Sequence, residues 1–243
     1  MLASMFSGPS RAFLSRFRRD HCELALDLGC GTGHSTRLVA RALRPGQTIG
    51  LDSSPAALRA ARSRTRNPTV AFAHHDVTAT PFPAPQPDLV YSRFLLAHVS
   101  EPEDAVRRWV AELRPGGRLL LDEGSSIRTS HEPISRYLEM VGALLEHRGT
   151  AVDIGGVLDG LGEIGGMARR HPLSREVTFT PPANGVAAMF RANMDAWRDD
   201  PFIATHVGEA AVAWLESELE ALARTPIRDG VAWDLKQVAF ERR

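Results

Sequence analysis

Only two cysteines, Cys22 and Cys30, occur in the 243 residues. They are too few for a disulfide framework or a cysteine-held metal site. A reducing, cytoplasmic setting is the simplest expectation. Long apolar runs are also missing. None approaches the roughly 18 residues that span a bilayer, so no membrane partner is expected. Neither sign of charge dominates, with 29 basic against 29 acidic residues. That balance argues against non-specific nucleic-acid binding as the main task. Lysine is nearly absent, Lys236 being the only one. Together with abundant Ala, Gly and Pro this points to a GC-rich genome and carries no functional message. The opening "MLASMFSGPSRAFLSRFRRD" has no acid before Asp20, a composition shared with organelle transit peptides. The preferred reading is an amphipathic helix that lays Phe6, Phe13, Leu14 and Phe17 against the edge of the domain.

What remains is an ordinary globular composition, 43% hydrophobic and 24% charged, and a length that fits one domain with a substantial core. The first half alternates strand and helix signals. "ELALDLG" is a short apolar run that ends in glycine, as a buried strand would. Leu38, Val39, Ala42 and Leu43 then recur at helical spacing until Pro45 and Gly46 stop the helix. "QTIGLD" reads as a second strand, and Ser53 or Ser54 caps a helix with Pro55 in its first turn. "TVAFAHHD", "PDLVYSRF" and "RLLLDE" read as three further strands. Ser100 and Glu103 suggest a capping box for a helix that buries Ala105, Val106, Trp109, Val110 and Leu113. Strands joined by helical crossovers imply a doubly wound parallel sheet.

The second half is less regular. Residues 132–148 present Ile134, Leu138, Val141 and Leu145 on one helical face, with Gly149 as a stop. Residues 153–168 are glycine-rich and yield no assignment. "REVTFTPP" reads as a strand, two helices are expected near 183–198 and 208–224, and "GVAWDLKQVAFER" closes the chain as a strand. Its apolar alternation slips phase after Leu235, which suggests a bulge. No internal repeat is present.

The stretch "ALDLGCGTGHST" carries the first chemical signal. Glycines between a parallel strand and its helix let a ligand approach the backbone without meeting a Cβ. The spacing is Gly29-x-Gly31-x-Gly33, and His34 stands where the dinucleotide fingerprint requires glycine. A nucleoside-type ligand therefore fits better than a pyrophosphate. Asp52 ends the second strand 19 residues after Gly33, where a carboxylate accepts both ribose hydroxyls. Asp76 ends the third strand, placed to accept from an adenine amino group with Val77 against the ring.

In order and spacing, "LDLGCGTG", "IGLDSS", "HHDV", "DLVYSRFLLAHV" and "LRPGGRLLLDE" resemble the class I S-adenosylmethionine-dependent methyltransferases, closely so over residues 22–124. The tail "WDLKQVAFER" resembles the closing strand of the same fold. The resemblance implies an α/β fold with a mostly parallel, seven-stranded, doubly wound sheet. One domain would then fill 1–243: an N-terminal helix (1–21), a cofactor core (22–124), helical insertions forming a lid (125–228) and the closing strand (229–243). It also implies S-adenosylmethionine as cofactor. Asp27, Gly29, Cys30, Gly31 and Gly33 would surround its methionine part, Asp52 and Ser53 its ribose, and Asp76 and Val77 its adenine. Ser92 and Arg93 would border the methionine end. Arg93 would reach a carboxylate of cofactor or substrate, or else form a surface salt bridge.

The acceptor is less constrained. The "YSRF" after strand four lacks the Asn- or Asp-Pro-Pro-aromatic motif of base-amino methylases, so no nucleic-acid acceptor is expected. Asp122 and Glu123 lack an evident third ligand, so no metal is expected. A small-molecule acceptor, such as a specialised metabolite, is the favoured partner, and a homodimer is allowed. His98 is the first candidate for a general base, with helix capping or packing as its alternative. Glu123 is the second, with an arginine pair as its alternative. His131, Tyr137 and His147 are weaker candidates, and Met140, Met167, Met189 and Phe190 either line the acceptor pocket or belong to the core. Two rival functions stay open: an NAD-dependent oxidoreductase, and a non-catalytic module that retains the cofactor fold.

Overall fold

The computed structural model describes residues 5–18, 21–150, 154–164 and 168–243. A first helix, α1 (Ser7–Ser15), precedes an alternating unit. That unit is β1 (Leu24–Leu28), α2 (His34–Leu43), β2 (Gln47–Asp52), α3 (Pro55–Ser63), β3 (Val70–His74) and β4 (Leu89–Arg93). A single 3-10 turn (Leu96–His98) and α4 (Pro102–Glu112) lead to β5 (Arg118–Thr129). The chain continues through α5 (Glu132–His147), α6 (Ile154–Gly160), β6 (Glu163–Ile164), β7 (Ala168–Arg170) and β8 (Arg175–Phe179). Helices α7 (Ala183–Met194), α8 (Pro201–His206) and α9 (Glu209–Arg224) precede the closing strand β9 (Val231–Arg242).

The sheet runs β3-β2-β1-β4-β5-β9-β7-β6, and β8 also pairs with β9. The first five strands are parallel, and β9 lies antiparallel to β5. Among the described residues nine strands therefore stand where seven were expected. The reason is the length of β9. Its far edge would leave a row of backbone donors and acceptors without partners. Strand β8 covers its first part, pairing Phe179 with Trp233 and Arg175 with Gln237. Strand β7 covers its end, pairing Arg170 with Phe240. The segment 125–228 is thus not purely helical: β5 itself runs to Thr129, and three short strands lie within 163–179. The phase slip read in the last strand is real, but the extra residue, Ser125, sits on β5, between pairs Gly124–Leu235 and Ser126–Asp234.

Three apolar clusters hold the fold. On one sheet face, Phe13, Leu14 and Phe17 from α1 and its C-terminal side meet Leu38, Val39 and Leu43 of α2. On the opposite face, Val106, Trp109 and Val110 of α4 pack on Leu26, Val90 and Leu119. The third cluster joins α5, α7, α8 and α9 to Val231, Trp233 and Leu235 of β9. Local chemistry sets several helix starts. Ser54, not Ser53, caps α3 through its hydroxyl on the Ala57 amide. The expected capping box at Ser100 does not form. Pro102, whose missing amide suits the first helical position, starts α4 one residue later, with Glu101 as an uncapped N-terminal residue.

Trp109 is fully buried, and its Nε1 donates to the Val77 carbonyl at 2.8 Å. Trp109→Ala should lower stability by about 3–5 kcal/mol, read as a shift of the urea midpoint. A shift below about 1 kcal/mol would mean that this face of the core is not organised as described.

Candidate functional site

The loop after β1 turns on glycines with φ of +52° at Gly31 and +75° at Gly33. The two differ in what surrounds them. A Cβ on Gly33 would lie 2.6 Å from Phe72 Cζ, so this glycine serves packing. A Cβ on Gly31 would meet nothing within 4 Å, so Gly31 faces open space that a ligand can fill. Gly29 packs beneath Leu95, whose Cδ1 would lie 2.7 Å from a Cβ there. Asp52, at the end of β2, fastens the loop: its Oδ2 accepts from the Gly31 amide and its Oδ1 from the Ser54 amide, both at 2.8 Å. Each oxygen keeps a further lone pair for a hydroxyl donor. Cys30 is buried, and burial pushes its thiol far above the ordinary range, so it packs as a small apolar group.

Asp27 lies fully buried under the loop. Its Oδ2 accepts from Ser35 Oγ at 2.7 Å and Thr36 Oγ1 at 2.6 Å, while its Oδ1 is buried with no partner. Burial raises its pKa to about 6, against the lowering effects of both hydroxyls and of Arg93. Arg93, at the end of β4, donates to Ser10 Oγ at 3.4 Å and packs on the Phe94 ring at 5.8 Å. Among the described residues no carboxylate pairs with it, so the surface salt bridge does not form. His34 Nε2 bonds Ser7 Oγ at 2.8 Å, which ties α1 across the loop. Burial, then the charges of Arg93, Arg37 and Arg41, lower the His34 pKa to about 4.

Asp76 and Val77 stand at the opposite end. The Asp76 Oδ1 accepts from the Thr78 amide at 2.9 Å and its hydroxyl at 2.8 Å, and these bonds hold the carboxyl below its ordinary pKa. The Asp76 side chain is exposed, and Val77 is buried beside it.

Ser92 points away from the loop. It is buried on the other sheet face, and its hydroxyl donates to Glu123 Oε1 at 3.3 Å. Glu123 also accepts from the Leu95 amide at 3.0 Å and the Leu96 amide at 3.4 Å. Its partners are thus backbone donors and a hydroxyl rather than an arginine. Burial nevertheless dominates and pushes its pKa up to about 8. Between these anchors Phe94 holds φ of +53°, a left-handed conformation unusual for a bulky residue. Neighbouring Asp122 has both oxygens engaged: Ser10 Oγ at 2.5 Å, Tyr91 OH at 2.9 Å and Gln237 Nε2 at 2.9 Å.

Beyond Phe94 opens a cavity of about 540 Å³. Glu123 and His98 reach it, as do Tyr137, Met189 and Phe190. Tyr137 stacks on Phe190 with ring centres 3.9 Å apart. His98 stands at the exposed rim, where enclosure by the wall and the Arg148 charge lower its pKa. Met140 packs in the neighbouring apolar cluster instead, and Met167 lies outside the described residues. His131 is bound to the Asp229 carbonyl at 2.9 Å, and His147 stacks on Phe202 at 4.3 Å; neither reaches the cavity. Phe6, Gly124, Asn193 and Trp233 line it without having been singled out from sequence. No local motif marks them, because the register between β5 and β9 decides which residues face inward.

A family profile described as "Methyltransferase domain" matches residues 25–117. The chain is 37% identical over 135 residues to the trans-aconitate 2-methyltransferase of Methylobacterium radiotolerans, covering 56% of this chain and 50% of that protein. The corresponding enzyme of Paracidovorax citrulli is 34% identical over 136 residues, with the same coverage of 56% and 50%. The chain thus spans about half the length of the curated relatives it matches. Among solved structures it is similar to Haemonchus contortus phosphoethanolamine N-methyltransferase 2 in complex with S-adenosyl-L-methionine. The TM-score is 0.59 at 20% identity, covering 97% of this chain and 52% of that one. It is also similar to the cyclase SpnF, with a TM-score of 0.58 at 21% identity, covering 96% of this chain and 80% of that one.

The two loop glycines should separate on substitution. Gly31→Ala should cost about 1–2 kcal/mol of backbone strain. Gly33→Ala should cost that and roughly 1–3 kcal/mol more for overpacking against Phe72, in the same urea titration. Equal costs would refute the packing role of Gly33. The raised pKa of Glu123 gives a second expectation. A carboxyl raised in the folded state contributes stability that is full below its unfolded value of 4.5 and lost as pH rises through about 8. His34, lowered to about 4, acts oppositely, but only below its ordinary value of 6.5. From pH 6.5 to 8 the native protein should therefore lose stability relative to Glu123→Gln. A constant difference between the two across that window would show that Glu123 ionises normally.

Proposed function

We propose that this chain is a class I S-adenosylmethionine-dependent methyltransferase and that it methylates a small molecule held in the cavity beyond Phe94. The residues around the glycine loop fit the cofactor. Gly31 offers backbone with no Cβ in the way, and the unpartnered Oδ1 of Asp27 offers a buried acceptor for an ammonium group. Arg93, without a carboxylate of its own, suits the methionine carboxylate. Asp52 holds the ribose hydroxyls, and Asp76 and Val77 take the adenine edge and face. When bound, the cofactor supplies a sulfonium-activated methyl group, which needs only an aligned nucleophile and exclusion of water.

One observation carries the placement of the acceptor: consecutive residues divide the two spaces. Leu95 lies against Gly29 of the cofactor loop, and Phe94 forms a wall of the cavity. Glu123, bonded to the amides just beyond Phe94, acts as a positioning residue for this partition. His98 stays neutral near pH 7 and is the group on the wall suited to take the proton released from an acceptor hydroxyl or amine. The cavity is open at its rim, which supports an enzyme over a module that merely retains the cofactor. The His34–Ser7 contact occupies the position where a dinucleotide site would require glycine, which speaks against the oxidoreductase alternative.

Calorimetry with S-adenosylhomocysteine tests this reading. The native protein should bind it, and Asp52→Ala should weaken binding at least tenfold, because each hydrogen bond to the carboxylate contributes about 1.5–3 kcal/mol. A folded native protein that does not bind would end the proposal.

A further inference from the structure

The walls of the cavity state what kind of molecule belongs there. Two groups of rings form much of its surface. Tyr137 and Phe190 stack nearly parallel, at 7°, and Phe6 meets Phe94 and Trp233 edge-on with centres 4.7 and 4.9 Å apart. Among the described residues no lysine or arginine lines the cavity. The arginines beside its walls turn elsewhere: Arg93 to Ser10, Arg128 to Asp234, Arg136 to Glu139, Arg148 to Asp200, and Arg191 to Asp195, Glu216 and Glu220. The polar groups are few, and several are already engaged. Ser126 donates to Asp234 at 2.5 Å and Ser125 to Glu176 at 3.2 Å. Asn193 beside the stacked rings is hydrogen-bonded to Tyr137, so His98 at the rim remains to orient a ligand.

We infer that the cavity selects an uncharged, mainly apolar acceptor with a flat ring system and excludes small polycarboxylates. The inference rests on the reading of this cavity as the acceptor site. A carboxylate brought here would lose its water and meet no lysine or arginine on the described wall, and poorly compensated charges are strongly disfavoured in such surroundings. The wall already shows this preference, since burial pushes its own carboxyl, Glu123, toward the neutral form. A flat apolar ring gains what a polyanion forfeits: offset or edge contacts with the aromatic walls, and release of water from apolar surface. The matched family region does not contradict this. Of the cavity wall, residues 25–117 supply only Phe94, Ala97 and His98.

Three probes decide the matter: 1-naphthol, trans-aconitate and the phenethylammonium cation, titrated by saturation-transfer NMR. Each is run on the free protein and with S-adenosylhomocysteine present. Naphthol should bind at least tenfold more tightly than either ion. A cavity-filling variant supplies the location. Gly142 lines the cavity from α5, and a Cβ there meets nothing within 4 Å. Gly142→Phe should therefore fold normally by circular dichroism, keep S-adenosylhomocysteine binding, and lose naphthol binding at least tenfold. Tighter binding of trans-aconitate or of the cation would overturn the inference, as would unchanged naphthol binding in Gly142→Phe. Naphthol binding without S-adenosylhomocysteine binding would leave the cavity inference standing and remove the proposed function. The reverse pattern would do the opposite.

Discussion

The ligand-facing rim depends on the point where the strand order turns back. β1 lies between β2 and β4, so the chain winds outward first in one direction and then in the other. The helix after β1 packs on one face of the sheet, and the helix after β4 packs on the opposite face. The carboxyl ends of β1 and β4 are therefore left uncovered between diverging crossovers, which is where open α/β sheets take ligands. Residue parity then assigns the chemistry. Asp27 and Arg93 project to the side covered by α1, where His34 and Ser7 close over the loop. Ser92 and Glu123 project to the other side, where the carboxyl holds the chain that follows β4. One topological feature thus separates a charged, cofactor-sized cleft from the route to an apolar cavity.

The second architectural decision is the length of β5 and β9. Strand β4 stops at Arg93, paired with Asp122. From Glu123 to Thr129, β5 has only β9 beside it, and this two-stranded extension carries the second cluster of helices. The extra residue at Ser125 increases the local twist and lets Gly124 and Trp233 face the same space. The helices above it are joined by ionic as well as apolar contacts. Arg191 of α7 and Arg198 in the turn after it share Glu216 of α9. A network of this kind contributes more than isolated surface pairs would, because each carboxylate orders several partners.

The cofactor half could be read from the sequence because its determinants are local. Strand, glycine turn, helix and the acid at the next strand end follow one another within a few residues. Asp52 and Arg93 end β2 and β4, and Asp76 lies two residues beyond the end of β3 rather than at it. Ser92 is the exception there. Its type and position fit the expected rim, but the alternation of a strand turns its hydroxyl to Glu123. In the second half the determinants are distant. Strands β6 and β7 are too short and too charged to show a pattern of their own; β7 pairs with the edge of β9, and β6 pairs with β7. "REVTF" was legible because Val177 and Phe179 alternate, whereas "ARR" was not. The cavity was illegible for the same reason. Its walls come from Phe6 just before α1, the turn after β4, and β5, α5, α7 and β9, and no spacing in the chain brings Phe6 beside Trp233.

The partition at Phe94 and Leu95 concentrates these constraints in two residues. A bulky side chain held at positive φ costs free energy, of order 1–3 kcal/mol, and persists only where its surroundings overdetermine it. Glu123 supplies that determination. The loop offers only donors: two amides, with Ser92 Oγ beside them. A carboxyl can accept from all of them and brings at most one donor when protonated, whereas a side-chain amide would always bring two against them. The carboxyl is thus the right shape for this position even though burial opposes its charge. The same bonds that fix Leu95 against the cofactor loop aim Phe94 into the cavity. The cleft and the cavity are thus bounded by consecutive residues of one segment, held by one carboxyl.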